Sequence, residues 1–344
     1  MLAGLASRSF DMRVLCSPDA PSFALLEASR AAAVAFEITR RYDRRAIERL
    51  RREIGTFEPD ILHLFNNRAV LNGLRAARGA KAKIIVYRGN VGNVSVFDPL
   101  AWLRYLNPRI DRIVCVSDAV RDYLAGVGAL GWRLSSDKLV TIHKGHDLSW
   151  YAEPPVDLEA LGVPRGAFVV GCVANWRPRK GVEILLEAHA RLPADAPIHV
   201  ALVGNMRSPK LSQRIAAHPH RDRIHLLGFR SDAAAVAGAF DIAVLPAIKR
   251  EGLPKTVIEA MAYGVATVAT RVGGVAEIIE DGVSGLIVPP GDAEALAEAI
   301  RKLYERPELR CELGRRGRER IGAAFRVEDT IAKTAELYEG LVAT

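Results

Sequence analysis

Short apolar runs alternate with amphipathic helical patterns along almost the whole chain. Phe168–Ala174, Ile198–Val203 and Ile242–Leu245 are typical of strands that are buried on both faces. The stretches between such runs are long enough to hold the helical crossover that neighbouring parallel strands require. The alternation therefore predicts an α/β protein built from doubly wound parallel sheets.

The chain of 344 residues predicts two domains of ordinary size. Glu153, Pro154 and Pro155 predict a stiff linker between them. We predict domains over residues 1–150 and 151–325, and a terminal helical segment over residues 326–344. The other predicted strands are Met12–Cys16, Ile61–Phe65, Lys83–Tyr87, Arg112–Val116, Leu139–His143, Ile224–Leu227, Ala266–Ala269 and Leu286–Val288. The predicted helices include Arg41–Ile54, Arg68–Ala77, Asp118–Ala125, Pro307–Ile321 and Val327–Leu341.

Composition excludes several classes of protein. With 49% hydrophobic and 26% charged residues the chain is expected to be globular and soluble. Ala31–Phe36 is far too short to span a bilayer, and Asp11 and Arg13 interrupt any signal-like apolar region. The four cysteines are scattered, which favours reduced core residues over a disulfide framework or a metal site. They are Cys16, Cys115, Cys172 and Cys311.

The net charge of +8 lies entirely in the first half. Residues 1–150 carry 23 Lys+Arg against 15 Asp+Glu, and the remaining residues carry 25 against 25. The densest part is Thr39–Gly55, where seven arginines accompany apolar residues at helical spacing. We expect this helix to dock on an anionic membrane surface. The alternative is a solvated face with Glu37–Arg41 and Glu48–Arg52 pairs. No nucleic-acid reader motif accompanies the charge, so no nucleic-acid partner is expected.

One stretch of the second half combines a strand, a loop and a helix start. EGLPKTVIEAMAYG (Glu251–Gly264) follows an apolar strand, with Pro254 expected in the first helical turn. Lys255 opposes the helix dipole there, which favours a bound anion at this end. Glu251 lies on the loop and Glu259 one turn after Lys255. A loop carboxylate and an i,i+4 Lys–Glu pair are the alternative interpretation.

Two longer stretches then indicate a family. EGLPKTVIEAMA, followed by VATRVGGVAEIIEDGVSGLIVPPGD (Val268–Asp292), closely resembles the donor-binding half of family-4 retaining glycosyltransferases. VANWRPRKGVEILLEAHARL (Val173–Leu192) resembles the phosphate-binding stretch of the same family. The resemblance implies the GT-B architecture, in which two Rossmann-like doubly wound domains face a cleft. It implies that residues 1–150 form the acceptor-side domain and residues 151–325 the domain that binds the nucleotide-sugar donor. It also implies that the terminal helix crosses back onto the first domain.

The resemblance implies roles for particular residues. Glu251 is expected to bind donor-sugar hydroxyls, and Lys180 and Arg177 to hold the diphosphate; these three are the implied catalytic residues. Glu259 is expected to bind the ribose hydroxyls. The implied donor-binding residues are Gly252, Leu253, Pro254, Lys255, Thr256, Glu259, Asn175, Gly228 and Phe229. The chain has no Asp-any-Asp motif, so we expect no metal and no cofactor, with cations stabilising the departing diphosphate instead.

The chain departs from the family pattern in four places. LAGLASRSFDMRVLC resembles the family's first helix running into its second strand, so the first strand and its glycine loop are expected to be absent. Arg88 stands where the family often has a histidine, and Lys144 where it has an asparagine. Asn175 replaces the usual arginine before Lys180, a role that Arg177 is expected to take over.

The function that the resemblance implies is transfer of a sugar from a nucleotide-diphosphate donor to a glycan or lipid-linked acceptor. The expected setting is cell-surface polysaccharide or lipopolysaccharide biosynthesis, in the cytoplasm on the inner face of the membrane. A sugar-nucleotide epimerase of the same fold and a non-catalytic nucleotide-sugar-binding protein are the alternatives.

Overall fold

The computed structural model describes residues 1–8, 10–20, 23–129 and 132–343. The chain divides into two compact units. The first comprises Met1–Gly145 and Val327–Thr344, and the second comprises His146–Arg326. The division falls slightly before the linker expected from the prolines. His146 belongs to the second unit because its backbone N–H donates to the Phe325 carbonyl at 2.7 Å.

The described strands of the first unit are β1 (Arg13–Cys16), β2 (Ala32–Ala35), β3 (Ile61–Leu64), β4 (Lys83–Arg88), β5 (Arg112–Cys115), β6 (Gly128–Ala129), β7 (Trp132–Arg133) and β8 (Leu139–Thr141). Four of them form a parallel sheet in the order β3-β4-β5-β8. Strands β1 and β2 form a separate parallel pair, and β6 and β7 an antiparallel one. The helices are α1 (Leu2–Ala6), α2 (Phe23–Glu27), α3 (Arg44–Phe57), α4 (Asn67–Ala76), α5 (Pro99–Trp102), α6 (Asp118–Ala125) and α14 (Val327–Val342).

Local side-chain chemistry sets the helix bounds in this unit. Helix α3 starts at Arg44 and not at Arg41, because the Asp43 carboxylate accepts from the Ala46 N–H at 3.1 Å and caps the helix. The terminal helix α14 packs on the first unit, where the Tyr338 hydroxyl lies 2.7 Å from His63 Nδ1. Strand β2 was not predicted, because its alanine-rich run has low strand propensity. Within the described residues no strand precedes Arg13.

The strands of the second unit are β9 (Phe168–Val173), β10 (Ile198–Val203), β11 (Ile224–Gly228), β12 (Ile242–Leu245), β13 (Ala266–Thr270) and β14 (Leu286–Val288). They form one parallel sheet in the order β11-β10-β9-β12-β13-β14. The helices are α7 (Val182–His189), α8 (Pro209–Ala216), α9 (Ala233–Gly238), α10 (Lys255–Ala262), α11 (Val275–Ile278), α12 (Ala293–Glu305) and α13 (Pro307–Ala324).

The strand order of the second unit reverses between β9 and β12. From β9 the chain moves outward to β10 and β11, and it then returns to β12 on the other side of β9. In open parallel sheets the loops at such a reversal separate and leave a crevice at the carboxyl ends of the strands. The α/β prediction is confirmed, and the topology places the candidate site beyond Val173 and Leu245.

No helix within the described residues combines the length and the apolarity needed to cross a membrane.

Candidate functional site

The loop that follows β9 and the loop that follows β12 contact each other closely at the strand-order reversal. Gly181 has φ +67°, and a Cβ there would lie 1.8 Å from the Pro246 carbonyl oxygen, so a side chain would force the loops apart. The Ile248 N–H donates to the Arg179 carbonyl at 2.8 Å. Pro178–Lys180 form a 3₁₀ turn, and helix α7 begins after it, at Val182.

Lys180 and Glu251 form an ion pair across the two loops. Lys180 Nζ lies 2.7 Å from Glu251 Oε1, and the two side chains are 21% and 7% exposed. Arg179 Nη1 lies 3.5 Å from the same oxygen and 3.3 Å from the Arg250 carbonyl. Glu251 Oε2 makes no hydrogen bond within the described residues. One carboxylate oxygen therefore orients two cations, and the other can accept from a ligand.

The backbone around Glu251 is held by a third loop. Arg250 has φ 67°, a left-handed conformation that costs free energy in a residue with a side chain. Gly273 has φ +51°, and a Cβ there would lie 1.9 Å from the Glu251 carbonyl oxygen. The next residue, Gly274, donates its N–H to the Gly252 carbonyl at 2.7 Å. The close contact of Gly273 and Gly274 with the backbone of residues 251–252 fixes the position of Glu251.

Helix α10 supplies the second predicted carboxylate. Pro254 is the residue before the helix and not, as predicted, within its first turn; it provides no side-chain cap. Glu259 is buried, and its Oε1 lies 2.7 Å from Lys255 Nζ, which makes the i,i+4 pair of the alternative interpretation real. Burial raises the pKa of the Tyr151 hydroxyl, and the Glu259 carboxylate raises it further. Tyr151 therefore keeps its proton at neutral pH and faces the Glu259 carboxylate as a neutral hydroxyl.

An open pocket of about 550 Å³ lies at the carboxyl ends of β9, β10 and β11. Gly204, at the end of β10, has φ +122° and a hypothetical Cβ 2.2 Å from the Ala174 carbonyl, so only glycine permits the approach. The Asn205 N–H donates to Asn175 Oδ1 at 2.9 Å, which fixes one wall. Phe229 is 79% exposed, so its ring can stack on a planar ligand. The lining residues are Asn175, Trp176, Arg177, Gly204, Asn205, Met206, Arg207, Gly228 and Phe229.

The structure groups the predicted residues into two sets. Lys180 and Glu251 contact each other. Arg177 lines the open pocket and forms no ion pair with Glu251 within the described residues. Leu253 packs against the core beneath α10, and Thr256 faces a small internal cavity. Sequence reasoning missed the wall formed by residues 204–207. The polar run after β10 was the available signal, because neighbouring parallel strands end at the same edge.

A cysteine nucleophile is disfavoured at this site. Cys172 lies near Lys180, but burial raises the pKa of its thiol to about 12, so it stays protonated and is no nucleophile. Neither Glu251 nor Glu259 belongs to a group of three metal-ligating side chains in the described part of the chain. Both carboxylates are instead paired with lysines.

Two family models match most of the chain. Residues 1–150 match the model described as glycosyltransferase family 4, and residues 156–320 match glycosyl transferases group 1. The lipopolysaccharide core biosynthesis mannosyltransferase LpsB of Rhizobium meliloti is 28% identical over 255 residues, which are 70% of this chain and 69% of that protein. Two other curated relatives, 27% and 28% identical, match over 46% and 62% of their own length. The chain thus spans about half to two thirds of the length of several relatives.

Solved structures share the fold over nearly the full chain. A glycosyltransferase from Rickettsia africae has a TM-score of 0.82 and 20% identity, and the match covers 99% of this chain and 93% of that one. HepE of Anabaena, solved in complex with UDP-glucose, has a TM-score of 0.79 and 22% identity, covering 98% and 94%. These matches establish the GT-B fold, and with the two family models they show that the chain belongs to the group 1 glycosyltransferases of family 4.

Proposed function

We propose that this protein is a retaining, metal-independent glycosyltransferase that moves a hexose from a nucleotide-diphosphate donor to a glycan or lipid-linked acceptor. The Lys180–Glu251 ion pair at the strand-order reversal is the observation that carries this proposal. It places a cation beside a carboxylate with one unused oxygen, in the crevice where parallel sheets bind nucleotides. Arg179 and the exposed Arg177 add positive charge to the same loop.

The reaction requires stabilisation of the leaving group. The bond between the anomeric carbon and the diphosphate oxygen breaks, and the acceptor oxygen bonds to the same carbon. The acceptor's proton passes to the departing phosphate oxygen. Lys180 is the group that stabilises the negative charge on the diphosphate, a role that is usually the largest catalytic term. Glu251 Oε2 accepts from a hydroxyl of the donor sugar and orients the anomeric carbon.

The positions and ion pairs of Glu251 and Glu259 support retention of configuration by front-face attack. A double-displacement enzyme uses two carboxyl groups about 5 Å apart across the anomeric carbon. Glu251 and Glu259 instead belong to a loop and a helix of one unit, and each is paired with its own lysine. Front-face attack, in which the leaving phosphate takes the acceptor's proton, needs no second carboxylate. The lysine and arginines at the diphosphate take the place of a metal ion.

The open pocket suits the nucleoside end of the donor. Its wall offers the exposed ring of Phe229 for stacking, and the side-chain amides of Asn175 and Asn205 for hydrogen bonds. Structural neighbours bind UDP and UDP-glucose, which supports a nucleotide donor of this kind. Screening UDP-, GDP-, ADP- and dTDP-sugars for thermal stabilisation tests this step, since ligand binding raises the melting temperature by mass action. If none of these nucleotide sugars raises the melting temperature, the proposed donor site is refuted.

Docking on the inner face of the cytoplasmic membrane is supported by helix α3. Ala46, Ile47 and Leu50 are buried on one face of the helix. The opposite face exposes four arginines that form no ion pair within the described residues: Arg44, Arg45, Arg51 and Arg52. The Glu48–Arg52 pair of the alternative interpretation, which would neutralise part of this surface, is not formed within the described residues either. Each unpaired cation near an anionic leaflet contributes about 1 kcal/mol.

Sedimentation with vesicles tests this docking. The protein should bind phosphatidylglycerol vesicles at low salt, and neither phosphatidylcholine vesicles nor anionic vesicles at high salt. Replacing the four arginines of α3 with glutamine should release the protein without weakening donor binding. A control with the same loss of charge replaces exposed arginines that are already paired, and should still bind: Arg214, Arg301, Arg315 and Arg316. Equal release of both variants would refute a specific role for α3.

Transfer to an acceptor separates this proposal from epimerisation. A transferase forms a new glycoside and free nucleoside diphosphate, whereas an epimerase changes the sugar. Product analysis by mass spectrometry and NMR distinguishes the two outcomes. Donor binding with neither product would favour a non-catalytic binding protein.

A further inference from the structure

The first unit contains a buried arginine at the carboxyl end of a central strand. Arg88 is the last residue of β4, which lies between β3 and β5. The residue is 7% exposed, and its guanidinium carbon lies 4.6 Å from the centroid of the Tyr105 ring. Within the described residues its side chain donates one hydrogen bond, from Nη2 to the Gly92 carbonyl. Ligands of parallel sheets bind beyond this end of the strands.

Arg88 lacks a compensating anion. Within the described residues no carboxylate lies within 4.0 Å of its guanidinium, and its buried Nε–H has no hydrogen-bond acceptor. Cys115 pairs with Arg88 across the sheet, but burial raises the pKa of the thiol to about 12, so no thiolate balances the charge. A buried cation without a partner is unfavourable in free energy. Contact with an aromatic ring offsets only part of that cost.

The loop after Arg88 is held in a defined backbone conformation by residues 92–94. Gly92 has φ 92° and Asn93 has φ 62°, so two successive residues are in the left-handed region. The Tyr123 hydroxyl accepts from the Val94 N–H at 3.0 Å and donates to the Val94 carbonyl at 2.9 Å. These contacts hold the loop beside the guanidinium. Arginine presents several N–H donors in one plane, a geometry that matches the oxygens of carboxylate and phosphate groups.

We propose that Arg88 is part of a binding site for an oxyanion, a carboxylate or a phosphate group, carried by the sugar acceptor. The assignment to the acceptor rests on the proposed function: the donor binds to the second unit, which leaves the first unit for the acceptor. The oxyanion site itself rests on the buried unpaired cation. The acceptor is therefore an acidic glycan or a phosphorylated one, and neutral acceptors bind less tightly.

Small anions test the site in the full-length protein. A Lys180→Gln background weakens phosphate binding in the second unit. In this background, inorganic phosphate and sodium acetate are titrated while the melting temperature is recorded, with sodium chloride at equal ionic strength as reference. Arg88→Gln should raise the dissociation constant of the bound anion about 10- to 100-fold, the scale of a charged hydrogen bond. Arg88→Lys should show a smaller increase, because it keeps the charge and loses the planar donors.

Arg78→Gln is the matched control, because Arg78 is an exposed arginine of the same unit. Its anion affinity should equal that of the background protein. If phosphate stabilises and acetate does not, the acceptor group is a phosphate; the reverse result identifies a carboxylate. Unchanged affinity for both anions in Arg88→Gln and Arg88→Lys would overturn the proposal and leave Arg88 as a support for the Gly92 loop.

Two readouts keep the outcomes separate. If Arg88→Gln does not fold, Arg88→Lys still decides, since a purely structural role would lower its melting temperature without changing the anion-induced shift. UDP affinity, measured separately in the protein with Lys180 intact, reports on the second unit. If the Arg88 variants lose the anion-induced shift in melting temperature and the protein with Lys180 intact binds no UDP, the oxyanion site is supported and the proposed transferase is refuted.

Discussion

Replacing Lys180 with alanine should separate catalysis from folding at the candidate site. The substitution removes the cation 2.7 Å from Glu251 Oε1 and leaves a carboxylate whose side chain is 7% exposed. Breaking a buried pair costs about 3–5 kcal/mol. Lys180 is one fifth exposed and Arg179 stays within 3.5 Å of the same oxygen, so we expect a loss nearer 2 kcal/mol in the free energy of unfolding.

The effect on turnover should be larger. Lys180 is the proposed stabiliser of the departing diphosphate, and loss of one such group lowers turnover by about 10²–10³. The assay follows release of nucleoside diphosphate from the donor that stabilises the protein most, at saturating donor concentration. Lys302→Ala is the control, because Lys302 is an exposed lysine on α12. It should change neither turnover nor stability by a measurable amount.

A second substitution distinguishes catalysis from loss of structure. Glu251→Gln in the Lys180→Ala protein removes the unpaired charge, so the double variant should be more stable than Lys180→Ala alone. Its turnover should remain at least as low, because neither the cation nor the carboxylate is restored. Turnover that recovers together with stability would show that Lys180 acts only by holding the loops together. Unchanged turnover in Lys180→Ala would refute the leaving-group role outright.

Three further predictions concern the second unit: a glycine beside Glu251, the two carboxylates, and a buried histidine. Gly273→Ala should weaken donor binding and lower the melting temperature because its Cβ would meet the Glu251 carbonyl at 1.9 Å, whereas Gly282→Ala, with φ +76° and open space around it, should cost only about 1–2 kcal/mol of unfolding free energy and no affinity. Glu259→Ala should weaken nucleotide binding by calorimetry, whereas Glu251→Ala should chiefly reduce transfer; equal behaviour of both variants would contradict their separate roles. Burial lowers the pKa of His189 to about 4, below its ordinary value of 6.5, so the folded protein binds fewer protons and stability should fall as the pH drops from 6.5 towards 4, by about 3 kcal/mol from this residue. Urea unfolding of His189→Gln should show that much less dependence on pH, and an identical pH profile would contradict it.

The fold of the second unit could be predicted well because its central strands β9, β10, β12 and β13 are buried on both faces. Ile198–Val203, Ile242–Leu245 and Leu286–Val288 have the predicted bounds, since a continuous apolar run has a clear beginning and end. The first unit was less predictable. Strand β2 is half-exposed and rich in alanine, and the start of α3 depends on one carboxylate–amide hydrogen bond.

The candidate site could be predicted only as residue types. Lys180 and Glu251 are 71 residues apart, and their contact depends on the order of β9 and β12 in the sheet, which local patterns do not encode. The same topology brings Asn205 beside Asn175 and so forms the wall that was missed. Arg88 shows the opposite limit. The sequence marked it as a departure from the family, but its burial without a counter-ion is visible only in three dimensions.

The most direct test follows the anomeric configuration of the first product by NMR in the presence of EDTA. The protein is incubated with the donor that stabilises it most and with water as the acceptor. The sugar that first appears should have the same anomeric configuration as in the donor, at a rate that EDTA leaves unchanged and Lys180→Ala lowers. A first product of inverted configuration, or a rate abolished by EDTA and restored by a divalent cation, would contradict a retaining, metal-independent transferase.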